Sequence, residues 1–227
     1  MHEDNQYTSL SKTGIQPTFF GKVMTFFAMA VGVSVAGTYF TYTYFMHLFI
    51  QTPALMWILF GAELVLIFTS SMWSTKTPLN RLLFALFALI SGATLAPLIA
   101  FVISSPGGVV LLTKALLTTA LMFTATAIVG WTAKVDFSGL RGFLFMGLIG
   151  MIIMGVVGIF IPWSNTTELV FSGFGILLFS GFIMYDMQNI KKYPEDRYID
   201  AALHLYLDIF NLFIYVLRFL MAFSNRD

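Results

Sequence analysis

The chain has 227 residues, of which 58% are hydrophobic and only 10% are charged. This composition excludes an ordinary soluble domain, whose charged fraction is about 25%, and it leaves no room for a sizeable soluble domain beside membrane-spanning helices. The net charge of +1 argues against a nucleic-acid partner. The chain contains no cysteine, which excludes disulfides, thiolate metal sites and a cysteine nucleophile.

Seven apolar stretches predict an all-α polytopic membrane protein with seven transmembrane helices. A helix needs about 20 residues to cross the hydrocarbon core, and each stretch is close to that length. We expect a cytoplasmic N-terminal tail over residues 1–18 and one transmembrane domain over residues 19–227. The predicted spans, in chain order, cover residues 23–45, 53–73, 82–103, 109–131, 143–163, 169–190 and 198–223.

The first span carries a run of small residues. Ala28, Gly32 and Ala36 recur every four residues, so they lie on one face of the helix. Small residues let neighbouring helices approach closely in a membrane. We therefore expect this face to pack against another span.

Basic residues fall in alternate loops. Lysine or arginine precedes the first span and lies between spans two and three, four and five, and six and seven, whereas residues 46–52, 104–108 and 164–168 contain neither. The positive-inside rule then makes the N-terminus cytoplasmic. Seven full spans would place the C-terminus outside, which Arg218 and Arg226 fit poorly. Either the last helix does not fully cross, or Arg218 pairs with carboxylates inside the bundle.

The last predicted span carries a polar stripe. Its members are spaced by four, three, four and three residues, which puts them on one helix face. They are His204, Asp208, Asn211, Tyr215 and Arg218. A carboxylate near the bilayer centre costs a few kcal/mol, so the stripe is expected to face other helices or water. The sequence therefore predicts a polar C-terminal helix at the centre of the fold, with the six more apolar helices around it.

Three carboxylates lie at membrane depth, on spans two, six and seven: Glu63, Asp186 and Asp208. Spans six and seven are joined by a short loop, so we expect them to be antiparallel neighbours. Two carboxyl groups held close together share a proton and titrate as a pair. Counting residues from the span ends leaves Asp186 and Asp208 at depths that differ by roughly 8 Å, a gap that boundary errors of a few residues would close.

Each of these groups also has a structural interpretation. Asp186 could lie at the headgroup level, and Asp208 could pair with His204 four residues before it or with Arg218. A protonated Glu63 could hydrogen-bond to a neighbouring helix. Intramembrane carboxylates are functional candidates by default, and His204 has an ordinary pKa near neutrality, so the functional interpretation stays open for all of them.

Several motifs resemble one known family. They are Leu205-Tyr206-Leu207-Asp208-Ile209-Phe210-Asn211-Leu212-Phe213 with Leu217-Arg218-Phe219, then Tyr185-Asp186 with Gln188, Ile190 and Lys191, then Lys134-Asp136-Phe137-Ser138-Gly139, and finally Glu63 and Ser91-Gly92 to Pro97. The terminal motif resembles the signature of the Bax inhibitor-1 (transmembrane Bax inhibitor motif) family. The resemblance to bacterial members covers nearly the whole chain.

The resemblance implies a fold of six spans around a central seventh, and a pH-dependent calcium leak. Asp186 and Asp208 would then be the proton sensor, the gate and transient calcium ligands, with Glu63 and Asn211 as further pore-lining residues. Some relatives carry an arginine at the end of span two that partners the sixth-span aspartate. This chain has Lys76 in that region, so Lys76 is the candidate substitute, and His204 and Arg218 are candidate modulators. No cofactor is implied besides calcium as the transported ion.

Three functions compete at this stage. The first is the calcium leak channel, with the lipid bilayer, calcium and protons as its partners. The second is a non-conducting regulator that binds other membrane proteins such as a membrane-bound AAA protease through its N-terminal tail. The third is an intramembrane aspartyl protease, which the sequence disfavours because Leu205-Tyr206-Leu207, rather than glycines, precede Asp208. We therefore expect a channel that is not an enzyme, in the cytoplasmic (inner) membrane of a bacterium.

Overall fold

The computed structural model describes residues 18–224, and all regular structure in that range is helical. The helices in chain order are α1 Phe19–Phe40, α2 Met46–Gln51, α3 Ala54–Phe68, α4 Ser70–Trp73, α5 Leu79–Ser104, α6 Gly108–Thr132, α7 Leu140–Phe160, α8 Asn165–Asn189 and α9 Tyr198–Ser224. The predicted N-terminal tail, except for Thr18, and Arg226 lie outside the described residues.

Six helical segments of the described chain are long and apolar enough to cross a membrane. The last of them ends with α9, so the last helix has the length that a crossing requires. The predicted second span is the short one, because α3 has only 15 residues and is therefore about 22 Å long. The hydrocarbon core is about 30 Å thick. The turn of helix α4 follows α3 directly and extends the same stretch to Trp73.

The first helical segment is longer than predicted. A π-helical turn over Thr41–Phe45 joins α1 to α2, and the joined segment Phe19–Gln51 has 33 residues. The predicted end at residue 45 falls at this turn. The helix continues beyond it because no glycine or proline interrupts the sequence between Gly37 and Pro53.

The last helix lies among four others. It packs against α1, α5, α6 and α8, while α3 packs on α5 and α7 packs on α8. Apolar side chains on several faces of α9 are fully buried, for example Leu205, Leu212 and Leu217. Burial on several faces means that α9 forms the core of this part of the molecule, although it carries most of the polar groups singled out from the sequence.

Helices α1 and α5 approach each other closely. A Cβ atom at Gly92 would overlap the backbone carbonyl group of Ser34, and one at Gly37 would lie 2.6 Å from the carbonyl oxygen of Leu89. The predicted packing face of α1 was wrong, because Ala28 and Gly32 are exposed and a Cβ at Gly32 would meet nothing within 4 Å. The close approach uses Gly37 on a different face of α1.

Candidate functional site

The carboxyl groups of Asp186 on α8 and Asp208 on α9 are neighbours in the interface between the two helices. Only 9% of Asp186 and 5% of Asp208 is exposed. The two groups interact electrostatically and lie within hydrogen-bonding reach of each other. No N–H or O–H group of residues 18–224 donates to Oδ2 of Asp208. A hydrogen bond between two carboxyl groups needs a proton on one of them, so this arrangement favours a shared proton.

The link between α8 and α9 places the two carboxyl groups together. Residues 190–197 fold into two short 3₁₀ turns, Ile190–Lys192 and Glu195–Arg197, and the helices they join run side by side. Asp186 lies three residues before the end of α8, and Asp208 lies ten residues after the start of α9. Counted from these helix ends, the two depths differ by seven residues, about 10 Å. Boundary errors therefore do not close the expected gap, and the two groups nevertheless interact.

His204 lies on the α9 side of this link. The residue is exposed, so the expectation that the whole stripe faces inward was wrong at its first member. Its ring nitrogen Nδ1 lies 3.0 Å from the hydroxyl oxygen of Tyr193, and its charge acts on Asp186. His204 is therefore held by a tyrosine of the link and faces the aspartate of α8, rather than pairing with Asp208 as one structural interpretation proposed.

The end of α8 next to Asp186 is tied to the loop between α6 and α7. The amide N–H of Phe137 donates to Oε1 of Gln188 at 2.8 Å, and Nε2 of Gln188 donates to the carbonyl oxygen of Val135 at 2.8 Å. Lys191 donates to the carbonyl oxygen of Trp131 at 2.6 Å and lies 4.4 Å from the centre of its ring. A shift of α8 near Asp186 would therefore break polar contacts with this loop.

Arg218 pairs with Glu168 at the far end of the same two helices. Its Nε and Nη2 atoms donate to the two carboxylate oxygens of Glu168 at 2.5 and 2.9 Å. The guanidinium group also lies over the rings of Phe171 and Tyr215. Pairing with a carboxylate inside the bundle was one of the two alternatives left open for Arg218, and the partner is Glu168 rather than Asp208.

Glu63 occupies a separate polar contact. The hydroxyl of Thr94 on α5 donates to its Oε1 at 2.9 Å, and the residue is half-buried. The hydroxyl oxygen of Tyr206, a residue of α9 that is 1% exposed, has no hydrogen-bond partner within residues 18–224, and it is close enough to feel the charge of Glu63. Glu63 therefore meets α5 and the neighbourhood of Tyr206, and the structure does not bring it to the aspartate pair.

Two other predicted residues also lie apart from the pair. Asn211 is half-buried, and its Nδ2 donates to the carbonyl oxygen of Leu207 in its own helix at 2.8 Å. Lys76 is exposed in the turn before α5 and forms no ion pair with any residue of the described chain. The structure therefore does not bring Lys76 to Asp186 as a substitute for the arginine of some relatives.

Sequence reasoning missed Tyr193, Gln188 and Glu168 as partners of the predicted site residues. The sequence contains a usable indication for Glu168. It is the acidic residue in the segment 164–168, which contains no basic residue, and this segment lies at the same end of the bundle as Arg218. Gln188 and Phe137 both belong to motifs that carry the family resemblance, although neither motif indicates that the two residues are in contact, and Tyr193 carried no signal. Within residues 18–224, no group of three or more histidine, aspartate or glutamate side chains is placed to hold a metal ion.

The fold and the site define a multi-pass helical membrane protein with a buried pair of carboxyl groups between its last two helices. The sequence profile that matches the chain, over residues 16–225, is that of the family described as "Inhibitor of apoptosis-promoting Bax1". The chain belongs to this Bax inhibitor family. The resemblance inferred from the terminal motif is thereby confirmed.

Relatives of the chain come from bacteria, eukaryotes and a virus. An uncharacterized protein of Campylobacter jejuni is 31% identical over 208 residues, which are 92% of this chain and 90% of that protein. The Golgi anti-apoptotic protein of vaccinia virus is 35% identical over 215 residues, 93% of this chain and 88% of that protein. Bax inhibitor 1 of Schizosaccharomyces pombe is 31% identical over 169 residues, 74% of this chain and 62% of that protein.

Proposed function

We propose that the chain is a pH-sensitive calcium leak channel whose gate is the aspartate pair. The observation that carries the proposal is the juxtaposition of Asp186 and Asp208 in a buried interface between two adjacent helices. A buried pair of carboxyl groups has little structural reason to exist, because removing charge from water costs several kcal/mol per ion unless a partner of opposite charge compensates. The electrostatic neighbours of the pair include His204 on the side of the link.

The pair would work as a latch. With one proton shared between the two carboxyl groups, α8 and α9 are clamped and the path is closed. Loss of that proton leaves two like charges side by side, which repel each other strongly in a low-dielectric interior. The separated carboxylates then offer oxygen ligands of the kind that a hard cation such as calcium prefers. Glu63 and Asn211 would line the path, and His204 would tune the titration.

The proposed arrangement in the membrane has seven spans, with α9 at the centre and the other six around it. The packing of α9 against α1, α5, α6 and α8 supports this arrangement. The distribution of basic loops supports a cytoplasmic N-terminus. A bacterial cytoplasmic membrane is the proposed location, supported by the Campylobacter relative that matches over 90% of its length. No catalytic step and no resident cofactor form part of this proposal.

Calcium uptake into dye-loaded proteoliposomes tests the channel directly. Uptake would be followed from about pH 5 to pH 8, on both sides of neutral pH. We expect the wild-type flux to rise with pH as the shared proton is lost. Asp186→Asn, Asp208→Asn and the double variant lack one or both ionisable groups, so their flux should no longer depend on pH.

Asp196→Asn is the matched control, because it makes the same substitution at an exposed carboxylate that forms no ion pair within residues 18–224, and it should keep the wild-type pH profile. Each variant would first be shown to be folded by size-exclusion chromatography. A wild-type trace equal to that of empty liposomes would contradict the channel. A pH-dependent flux that survives in the double variant would leave the channel standing and overturn the aspartate latch.

A non-conducting regulator is the second candidate. The names of two relatives favour it: the Golgi anti-apoptotic protein of vaccinia virus and Bax inhibitor 1 of Schizosaccharomyces pombe. In this chain the regulated partner would be another membrane protein, such as a membrane-bound AAA protease, captured through residues 2–16. Deletion of those residues should abolish co-purification with the protease, and neither the full chain nor the deletion variant should pass calcium in proteoliposomes. Unchanged co-purification would exclude the tail as the binding segment.

A further inference from the structure

Two cavities flank the ion pair at the end of the bundle opposite the link between α8 and α9. The larger, of about 560 Å³, reaches α7 at Gly155 and Gly158. The smaller, of about 370 Å³, reaches α5 at Leu98 and Phe101. Three residues line both cavities: Asn165, Glu168 and Arg218. The ion pair therefore forms part of the wall that separates the two spaces.

The wall is held in place by specific contacts. Arg218 and Glu168 are joined by two parallel hydrogen bonds, and 33% and 25% of their side chains are exposed. Asn165 donates from Nδ2 to the carbonyl oxygen of Ala222 at 2.8 Å. This bond ties the start of α8 to the end of α9. Two-point pairing between a guanidinium and a carboxylate fixes geometry as well as charge.

An aromatic layer lies next to the pair on the side of the aspartates. Tyr215, three residues before Arg218, packs its ring against Gly175, where a Cβ would overlap it. The same ring stands 5.8 Å from that of Phe171 and 5.7 Å from that of Phe179, measured between centroids. This layer fills the α8–α9 interface, so a path through the interface needs the layer and the ion pair to move together.

We propose that the Glu168–Arg218 ion pair is a second gate, in series with the aspartate pair, and that it closes the opposite mouth of the same path. The proposal rests on the proposed channel function. Arg218 lies ten residues from Asp208 along α9, which is about 15 Å. A guanidinium placed in the wall repels an incoming cation, whereas its release from Glu168 would join the two cavities and free a carboxylate for that cation.

Single cysteines can report whether the pair separates two spaces, because the chain has no cysteine of its own. Gly155→Cys places a thiol in the larger cavity, where the added Cβ meets nothing within 4 Å, and Leu98→Cys places one in the smaller. Gly150→Cys, with the same free space on the exposed surface of α7, is the control. Each cysteine variant would be made in two backgrounds, one with the ion pair intact and one with the ion pair neutralised. Both proteins would be treated with a charged, membrane-impermeant methanethiosulfonate.

The double variant Glu168→Gln with Arg218→Gln neutralises the pair and leaves no unpaired charge, whereas a single variant would leave one charge without its partner. We expect unequal reaction rates at Gly155→Cys and Leu98→Cys in the wild-type background. Neutralisation should raise the slower rate roughly tenfold or more, since it makes a state populated at about 0.1–10% dominant. The Gly150→Cys rate should stay low in both backgrounds.

Calcium flux completes the test. Because the two gates are in series, the neutralised protein should stay closed at the acidic pH at which the aspartate pair is closed. At the higher pH at which the aspartate pair is open, it should pass calcium faster than the wild type, and an unchanged flux there would overturn the second gate. Equal rates at the two cavity reporters in the wild type, or rates unchanged by neutralisation, would overturn the gate. Reaction with a lipid-soluble maleimide but not with the charged methanethiosulfonate would also overturn it, because the cavities would then be open to lipid and closed to water. If neutralisation raises the labelling rate but neither the wild type nor any variant passes calcium, the result would contradict the proposed channel. The ion pair would then still separate the two cavities.

Discussion

Asp208 is the least exposed carboxyl group among residues 18–224, at 5%. Its side chain is buried, its nearest titratable neighbour is another aspartate, and its Oδ2 receives no hydrogen bond from residues 18–224. An arginine lies on the same face of α9, but Arg218 is occupied by Glu168. A second carboxyl group lies nearby, and no basic side chain of residues 18–224 forms an ion pair with Asp186 or Asp208. A shared proton is therefore the available means of satisfying both carboxyl groups.

Tyr193 lies in the link between α8 and α9, outside the membrane-spanning helices, and the ionisation of its hydroxyl group can be tested. Burial, with the charges of Asp186 and Asp200, raises the pKa of its hydroxyl above the usual value of about 10. The hydroxyl therefore stays protonated near neutral pH and is able to donate to Nδ1 of His204, which lies 3.0 Å away. This hydrogen bond would place the ring proton of neutral His204 on Nε2.

Replacing Tyr193 with phenylalanine should change alkaline stability in a defined direction. The raised pKa stabilises the fold fully below the unfolded value of about 10, and this stabilisation is lost as pH rises toward the folded value. The thermal unfolding midpoint of Tyr193→Phe should therefore fall less between about pH 9 and pH 11 than that of the wild type. Equal falls in the two proteins would show that Tyr193 titrates as an exposed tyrosine does.

At the scale of helices, the end of α8 couples the aspartate pair to the loop between α6 and α7. Gln188 lies half a turn beyond Asp186 and holds this loop through two hydrogen bonds of 2.8 Å. Any movement of α8 that separates the aspartates must stretch or break these bonds. In the proposed channel, the loop would therefore bias the closed arrangement.

Gln188→Ala should loosen this coupling. We expect faster amide hydrogen exchange at Phe137, whose N–H loses its acceptor, and a calcium flux that opens at lower pH because the closed state has lost two hydrogen bonds. Each bond contributes about 0.5–1.5 kcal/mol, so the population of the open state should rise by about one to two orders of magnitude. Gln188→Glu keeps an acceptor for Phe137 and should show the smaller change in exchange. An unaltered flux with faster exchange would mean that the loop does not bias the gate.

The contact between α1 and α5 gives a second prediction at this scale. Gly92→Ala places a methyl group against the backbone of Ser34, and such overpacking costs about 1–3 kcal/mol. Gly32→Ala is the matched control, because its methyl group meets nothing within 4 Å and alanine is the better helix former. Thermal unfolding in detergent should show a lower midpoint for Gly92→Ala and an equal or higher one for Gly32→Ala. Equal midpoints for Gly92→Ala and the wild type would mean that α1 and α5 can separate at no cost.

The helices could largely be predicted from the sequence, and their contacts could not. The prediction of 198–223 for the last span differs from Tyr198–Ser224 by one residue, because apolar runs and their polar boundaries are properties of the sequence order. Whether Gly37 or Gly32 packs against another helix depends on how α1 is rotated about its own axis. Both faces of α1 carry small residues, and either face can contact lipid, so the sequence does not determine the rotation.

The candidate site divides in the same way. Asp186 and Asp208 could be singled out because charge is rare at membrane depth, and a short link makes their helices neighbours. The Glu168 partner of Arg218 lies 50 residues away, and the Tyr193 partner of His204 lies in an irregular segment. Periodicity within one helix carries no information about either contact, so the stripe identified the polar residues and left their partners open.

For the molecule as a whole, the short helix α3 decides the arrangement in the membrane. The start of α5 lies at the same end of the bundle as the start of α9, because Nε of Arg81 donates to the hydroxyl of Tyr198 at 3.2 Å. The two ends of the stretch from α3 to α4 must then lie at opposite ends of the bundle. Its 20 residues, 54–73, are about 30 Å long when helical. This length equals the thickness of the hydrocarbon core, so the stretch contains no residues beyond those that a crossing requires.

Cysteine labelling of intact cells checks this arrangement. Thr52→Cys and Thr75→Cys bracket the short stretch, and Pro162→Cys and Val135→Cys, all at exposed positions, mark the ends without and with basic loops. We expect an impermeant maleimide to label Thr52→Cys and Pro162→Cys from outside, and the other two only after lysis. Labelling of Thr52→Cys and Thr75→Cys from the same side would mean that α3 enters and leaves on one face. Six crossings would then remain, which would bring both chain ends to the cytoplasmic side and remove the difficulty that Arg226 raises for seven.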